Sequence, residues 1–381
     1  MRVAQLIDSL APGGAEQSLV ALAPELRQRG IDLEVAYLGR DDTLLPQLRA
    51  LDIPVTALGQ GSRGGRVANV SRVRHWLRAT RPDLLHTTLF EADQAGRIAA
   101  ALTRVRVVSS LVNVSYGAEH LADPGVRRSR LVAARTLDTV TARKVARFHA
   151  ITEIVATTMA ERLHLDRARI DVIHRGRSAA RLGERSSRRR AEVRERLGIA
   201  DDTPLVVAAA RHEYQKGLDV LVRATADITR ALPDVAVVVA GRAGNATPDL
   251  ERLVAELGVA ASVTLLGARD DVADLLAGAD VFVLPSRWEG LGSVVIEAMA
   301  LEAPIVASDL PAVREVLGEG RAQLVAPEDP SVLAAAIIDT LRDRGAAKER
   351  ADQARARFTE SFEIGPIADA TVAFYERASA L

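Results

Sequence analysis

The residues with the clearest chemical potential stand in one run: Pro285-Ser286-Arg287-Trp288-Glu289-Gly290-Leu291-Gly292-Ser293-Val294, continuing to Glu297 and Ala300. It follows an apolar segment, Val281 to Leu284, that reads as a buried strand. Gly290 and Gly292 permit tight turns, and Ser293 is placed to cap a helix over Ser293 to Ala300. The first amides of such a helix and the positive end of its dipole suit a phosphate. Glu289 would lie in the loop and Glu297 about one turn into the helix, flanking an anion. The plainer reading is a strand, a loop and a capped helix with a surface glutamate; the glycine-rich loop favours a site. A second run, Ala209-Ala210-Arg211-His212-Glu213-Tyr214-Gln215-Lys216-Gly217, follows another buried segment. Arg211 and Lys216 could offset the charge of a diphosphate there, or could be solvated surface cations. A third, Ser9-Leu10-Ala11-Pro12-Gly13-Gly14-Ala15-Glu16, is a weaker phosphate loop.

Short apolar runs alternate with amphipathic stretches throughout. Strands are expected at Val3 to Ile7, Leu33 to Leu38, Val55 to Leu58, Leu84 to His86, Val105 to Ser109, Phe148 to Ile151 and Ile170 to Ile173. The pattern restarts with Leu205 to Ala210, Val235 to Ala240, Val263 to Leu266, Val281 to Leu284 and Ile305 to Ala307. Continuous Val, Ile and Ala runs suit parallel strands covered on both faces. Strand and helix alternation means α/β with right-handed crossovers. The expected fold is two Rossmann-like, doubly wound parallel-sheet domains facing across a cleft, with ligands at strand carboxyl ends. The arginine block from Arg185 to Arg190 reads as a solvated linker or exposed helix start. It sets the expected division at 1–182 and 183–360, with 361–381 packing back on the first domain.

The chain has 381 residues, with 50 Lys and Arg against 50 Asp and Glu. That balance argues against a nucleic-acid binder, which needs a basic surplus. The absence of cysteine excludes disulfides, thiol nucleophiles and Cys-ligated zinc. No Asp-x-Asp or His-x-x-x-His spacing occurs, so no metal and no other cofactor is expected. No apolar run approaches the ~20 residues of a membrane span, and the amino terminus lacks the apolar core of a signal peptide. The expected location is cytoplasmic. The basic stretch Arg127-Arg128-Ser129-Arg130 with Arg135, Arg143, Lys144 and Arg147 leaves two readings: a solvated helix face, or peripheral contact with an anionic lipid at the inner face of a membrane. Gly59 to Gly64 has G-x-G-x-x-G spacing, but it lacks the preceding first strand and later acid of a nicotinamide site and reads as a loop at the cleft mouth. His86 ends its strand and could touch a ligand, or simply pack and hydrogen-bond.

Taken together these residues resemble the retaining glycosyltransferases of family 4, which have the GT-B fold. The resemblance rests on Glu289 and Glu297, on Arg211 and Lys216 before Gly217-Leu218, on Gly13-Gly14-Ala15-Glu16, on Arg81-Pro82-Asp83-Leu84-Leu85-His86, and on Leu324-Val325-Ala326-Pro327 as a late strand and turn. It implies a nucleotide-diphosphate sugar as donor. Arg211 and Lys216 would hold the diphosphate and Gly14 would lie near it. The backbone of Gly290, Leu291, Gly292, Ser293 and Val294 would bind donor sugar and phosphate. Glu289 would contact the transferred sugar and Glu297 the ribose. The second domain is then the donor side and the first the acceptor side. The sequence departs at Arg175-Gly176-Arg177-Ser178, where Asn-Gly-aliphatic-Asp is frequent, at Leu291 for Phe, at Glu302 for Gly, and at Pro311-Ala312 for Gly-Gly. No sugar-contacting histidine follows Leu111; Asn113 is the nearest polar candidate. The acceptor, whether glycan, lipid-linked sugar or small molecule, stays open.

The implied mechanism stabilises a departing diphosphate electrostatically while an acceptor hydroxyl attacks the same face. Three other readings stand beside it: a nucleotide-sugar epimerase, a retaining glycosidase with paired carboxylates, and an inactive sugar-nucleotide-binding subunit.

Overall fold

The computed structural model describes residues 1–59 and 65–380. The loop reading of Gly59 to Gly64 therefore falls largely outside the described residues. The chain forms two compact units, Met1–Gly176 with Glu363–Leu381, and Arg177–Phe362.

The first unit holds β1 (Arg2–Ile7), β2 (Asp32–Tyr37), β3 (Val55–Ala57), β4 (Leu84–Thr88), β5 (Arg106–Leu111), β6 (Arg147–Ala150) and β7 (Ile170–Val172). They make one parallel sheet in the order β3-β2-β1-β4-β5-β6-β7. Side chains of β1 alternate between its two faces. Val3 and Ile7 join Leu19, Ala23 and Leu26 of the helix Gly14–Gln28, together with Phe374 and Tyr375 of the last helix. Ala4 and Leu6 join Trp76, Ala95 and Ala99 on the opposite face. With apolar helices on both sides, no strand face is left for water, which is why the strands read as unbroken Val, Leu and Ala runs. The last helix, Ile364–Ser379, belongs to this unit: Tyr375 is fully buried and Arg29 Nε reaches Asp369 at 2.5 Å.

The second unit holds β8 (Leu205–Ala209), β9 (Ala236–Ala240), β10 (Val263–Gly267), β11 (Val281–Leu284), β12 (Ile305–Ser308) and β13 (Gln323–Val325) in the order β10-β9-β8-β11-β12-β13, also parallel. Periodicity predicts five of these; β13 spans three residues, too short to show a period, and only the family resemblance pointed to it. Both sheets run outward from their first strand and then reverse, so the switch points lie between β1 and β4 and between β8 and β11.

The arginine block is a helix start, with Ser187 and Arg188 exposed, rather than a linker. Ser186 caps the helix Ser187–Leu197 by accepting from the Arg189 amide. Arg189 pairs with Asp274 at 2.7 Å, and Arg190 and Arg194 both pair with Asp280, at 2.8 and 2.7 Å. These bonds fold the block into the second unit. That unit begins at Arg177, whose amide donates to the Phe362 carbonyl at 2.9 Å, rather than near Gly183.

Glu302 follows the helix Ser293–Ala300 with a φ of 52° and an exposed side chain. This is the left-handed helix terminus that glycine occupies at least cost, which explains why the resembled family favours glycine here. Relief of the Cβ clash, about 1–2 kcal/mol, exceeds the backbone entropy that glycine adds, about 0.4–1 kcal/mol. Glu302→Gly is therefore expected to raise Tm by a degree or two in scanning calorimetry, and an unchanged or lower Tm would refute the strain.

Candidate functional site

Gly217 shows how tightly the loops after β8 and β11 are joined. Its φ is +59°, and a Cβ there would lie 2.0 Å from the Pro285 carbonyl oxygen, so no larger residue fits. The Arg287 amide donates to the Gln215 carbonyl at 2.8 Å, and Gln215 Nε2 returns a bond to the Trp288 carbonyl at 2.8 Å. The Arg287 guanidinium stacks 4.0 Å above the Tyr214 ring and forms a two-pronged pair with Asp219 at 2.9 and 2.8 Å. Planar stacking and a forked ion pair both fix orientation, so the two loops move as one piece.

That bracing brings Lys216 Nζ to 2.6 Å from Glu289 Oε1. Ser286 Oγ, fully buried, donates to the same oxygen at 2.8 Å. The Glu289 side chain is only 6% exposed and that of Lys216 19%. Burial makes an isolated carboxylate costly; the ammonium and hydroxyl offset that cost and fix the direction of the carboxyl group. Both bonds fall on Oε1, which leaves Oε2 to accept from elsewhere.

The helix Ser293–Ala300 starts directly after this loop. Its N-cap is Gly292, with φ +77° and no side-chain cap bond; Ser293 is the first helical residue, so the expected serine cap is not what forms. A left-handed turn at Gly292 sets the helix start, and a serine inside the helix no longer has the cap's backbone geometry. Leu291 is buried and Val294 lies in the first turn. Glu297, on the next turn, pairs with Arg177 Nε at 2.7 Å, with side chains 12% and 7% exposed. Arg177 stands where the resembled family has an aliphatic residue, and it ties the first residue of this unit to the helix bearing Glu297. Arg211 is not part of the Lys216–Glu289 pair. Its side chain is 42% exposed and approaches Glu213 at 4.0 Å.

In the first unit Gly14 opens the helix Gly14–Gln28 behind an extended Gly13. His86 is buried, and both its nitrogens are engaged: Nδ1 with the Tyr375 hydroxyl and Nε2 with Ser110 Oγ, each at 2.8 Å. The chain continues from Ser110 to His149 Nδ1 at 3.1 Å and from His149 Nε2 to the Ile173 carbonyl at 2.7 Å. A carbonyl only accepts, so His149 Nε2 donates; this sets the polarity back through Ser110 and His86 to Tyr375, which takes a bond from Gln5 Nε2 at 2.9 Å. Burial, and then the neighbouring His149, pushes the His86 pKa down to about 3; burial lowers His149 to about 4. Both rings are neutral at ordinary pH. They line a cavity of about 70 Å³ with Ile7, Ser18, Leu22 and Ile367. Asn113 makes a local bond, its Oδ1 accepting from the Val114 amide at 3.0 Å.

Sequence reasoning passed over Asp8, Ser286, Arg287 and Arg177. Asp8 follows β1 at the switch point and accepts from the amides of Ala92 at 2.6 Å and Glu91 at 3.3 Å. Burial pushes its pKa up to about 7 against the pull of those amides. Its place directly after the first strand was the available signal. Ser286, three residues before Glu289, was legible in the same way; the partners of Arg177 and Arg287 lie too far along the chain. Among the described residues, no three His, Asp or Glu side chains gather to hold a metal ion, and no helix is long and apolar enough to cross a membrane.

Residues 12–181 match the model described as Glycosyltransferase Family 4, and residues 189–357 the model described as Glycosyl transferases group 1. The alpha-D-kanosaminyltransferase of Streptomyces kanamyceticus is 35% identical over 42% of this chain and 42% of its own length. The match thus spans less than half of that relative. The D-inositol 3-phosphate glycosyltransferase of Mycolicibacterium vanbaalenii is 29% identical over 97% of this chain and 86% of that one. The solved structure of Anabaena HepE in complex with UDP-glucose aligns with a TM-score of 0.87 over 100% of both chains at 24% identity, a likeness of fold. It is the two-unit GT-B fold, built from one seven-stranded and one six-stranded parallel sheet.

Proposed function

The chain belongs to the family 4, group 1 glycosyltransferases, and from that premise we propose that it moves a sugar from a nucleotide-diphosphate donor to an acceptor hydroxyl, with retention and without a metal. The observation that carries this is the Lys216–Glu289–Ser286 cluster beside the glycine-capped helix at the switch point of the second sheet. The second unit is the donor side in this reading, and the first takes the acceptor.

As the bond from the anomeric carbon to the diphosphate oxygen breaks, negative charge grows on the leaving group. Lys216, assisted by Arg211 from the same loop and by the helix dipole, stabilises it in place of a metal. Glu289 Oε2 accepts from a hydroxyl of the transferred sugar while Oε1 stays anchored. The backbone from Gly290 to Val294 seats sugar and phosphate, and Glu297 accepts from the ribose. The acceptor oxygen bonds the anomeric carbon on the face that the phosphate leaves, and its proton passes to the leaving phosphate oxygen. UDP-glucose bound to HepE supports the donor class.

Thermal shift with UDP, GDP and ADP tests the donor assignment. One nucleotide is expected to raise Tm, since a ligand at about 100 times its Kd adds roughly 2.7 kcal/mol. No shift with any nucleotide would overturn the reading. Incubation with the matching sugar nucleotide alone should leave the sugar's configuration intact; a new epimer would show an epimerase instead.

A further inference from the structure

The helices Phe90–Thr103 and Arg128–Ala142 of the first unit pack together through a buried ion cluster, in which Arg97 reaches Asp138 at 2.5 Å. Their outer faces are unlike the rest of the surface. Of the eight large aliphatic side chains exposed among the described residues, five lie here or on the short helix just before: Ile98, Leu102, Leu121, Val132 and Val140. Val132, Thr136 and Val140 follow one another at four-residue spacing, so they share one helix stripe. Around that stripe Arg127, Arg128, Arg130, Arg143 and Lys144 are exposed, and none forms an ion pair among the described residues. Between Val126 and Arg147 the only acid is Asp138, which is buried against Arg97 and Tyr116.

The local sequence also works against the helix it forms. Arg127 is the N-cap without a cap bond, and the first turn holds Arg128 and Arg130 but no acid. Cations at a helix N-terminus oppose the dipole, where acids would have stabilised the helix. Exposed valines add nothing to folding. Basic side chains flanking a row of exposed aliphatics have a use where negative charge and hydrocarbon meet.

We propose that this face of the first unit docks on an anionic lipid bilayer. The cations would meet headgroup phosphates while Val132, Val140 and the neighbouring aliphatics enter the acyl boundary. The chemistry specifies negative charge together with an apolar layer, so a soluble polyanion would satisfy only half of it. This inference does not depend on the donor assignment, which concerns the second unit.

Flotation with phosphatidylglycerol vesicles at low salt tests it, against phosphatidylcholine vesicles. The protein is expected to float with the first and not the second. Arg127→Ala/Arg128→Ala/Arg130→Ala should weaken partitioning on the order of a hundred-fold, given about fivefold per basic residue. Val132→Ser/Val140→Ser should weaken it separately, while nucleotide thermal shifts stay unchanged and report intact folding. No flotation at low salt, equal binding to both lipids, or indifference to the valine pair together with equal binding to heparin would overturn the proposal.

Discussion

Lys216→Ala should lower kcat/KM on the order of a hundred- to a thousand-fold, the usual loss when one preorganised electrostatic contact to a developing charge is removed. The ammonium has two tasks in the proposed reaction. It stabilises the leaving diphosphate, and it holds Glu289 at 2.6 Å. Its loss leaves a buried carboxylate, its side chain 6% exposed, with the Ser286 hydroxyl as its remaining partner on Oε1. Glu289→Gln keeps the shape and can keep a bond to Ser286, but it removes the charge; a comparable fall in kcat is expected, with a smaller effect on nucleotide affinity. Because the two residues act as a pair, the double variant should be little worse than the poorer single one. Steady-state kinetics together with nucleotide titrations separate these effects. Wild-type kcat in both single variants would remove the cluster from the chemistry. Arg211→Ala is the informative contrast: a side chain 42% exposed and outside the pair should change KM for the donor more than kcat.

The parts of this molecule that sequence revealed are those written locally. Val281 to Leu284 and Leu205 to Ala209 are apolar without interruption because both faces of their sheet are covered, and that also placed Lys216 and Glu289 at strand ends. Membership in a common site followed because their strands are neighbours across a switch point. What stayed hidden depends on distant pairing or on dihedral angles. Arg177 and Glu297 are 120 positions apart, and nothing in either residue type says that both are buried. Gly-Ser before an apolar helix suggests a serine cap; the helix Ser293–Ala300 has its expected bounds, but the left-handed turn at Gly292 makes the glycine the cap. His86 reads either as a ligand contact or as a packing and hydrogen-bonding residue; its partners Tyr375 and Ser110, which engage both nitrogens, lie on other elements and so were not legible. In Arg185 to Arg190 the helix start was legible, but its pairing with Asp274 and Asp280, which fastens it to the second unit, was not.

The same blindness to burial hides the most consequential charge in the first unit. Arg97 is 1% exposed, with Asp93 at 7% and Asp138 at 6%. Its guanidinium bonds Asp138 at 2.5 Å and Ser109 Oγ at 2.9 Å and forms an ion pair with Asp93 at 3.3 Å, tying β5 and two helices together. Replacing it with methionine keeps much of the stem's packing but leaves two buried carboxylates without their cation. Breaking a buried pair from one side typically costs about 3–5 kcal/mol, and Arg97→Met is expected to fall in that range by urea denaturation near neutral pH. The pH dependence distinguishes this cause from a packing defect. Burial raises the Asp93 pKa from 3.8 to about 6, with Arg97 pulling it down and Asp138 pushing it up. The folded state therefore holds that proton more tightly than the unfolded chain. Its contribution is fully present below about pH 4 and is lost as pH rises through 6. Without Arg97 the folded pKa of Asp93 rises further, so the variant keeps that carboxyl neutral to higher pH and its ionisation costs more above it. Its deficit relative to wild type should be smaller at pH 5 than at pH 8. A deficit equal at both pH values would mean that lost packing, not stranded charge, is what destabilises the variant.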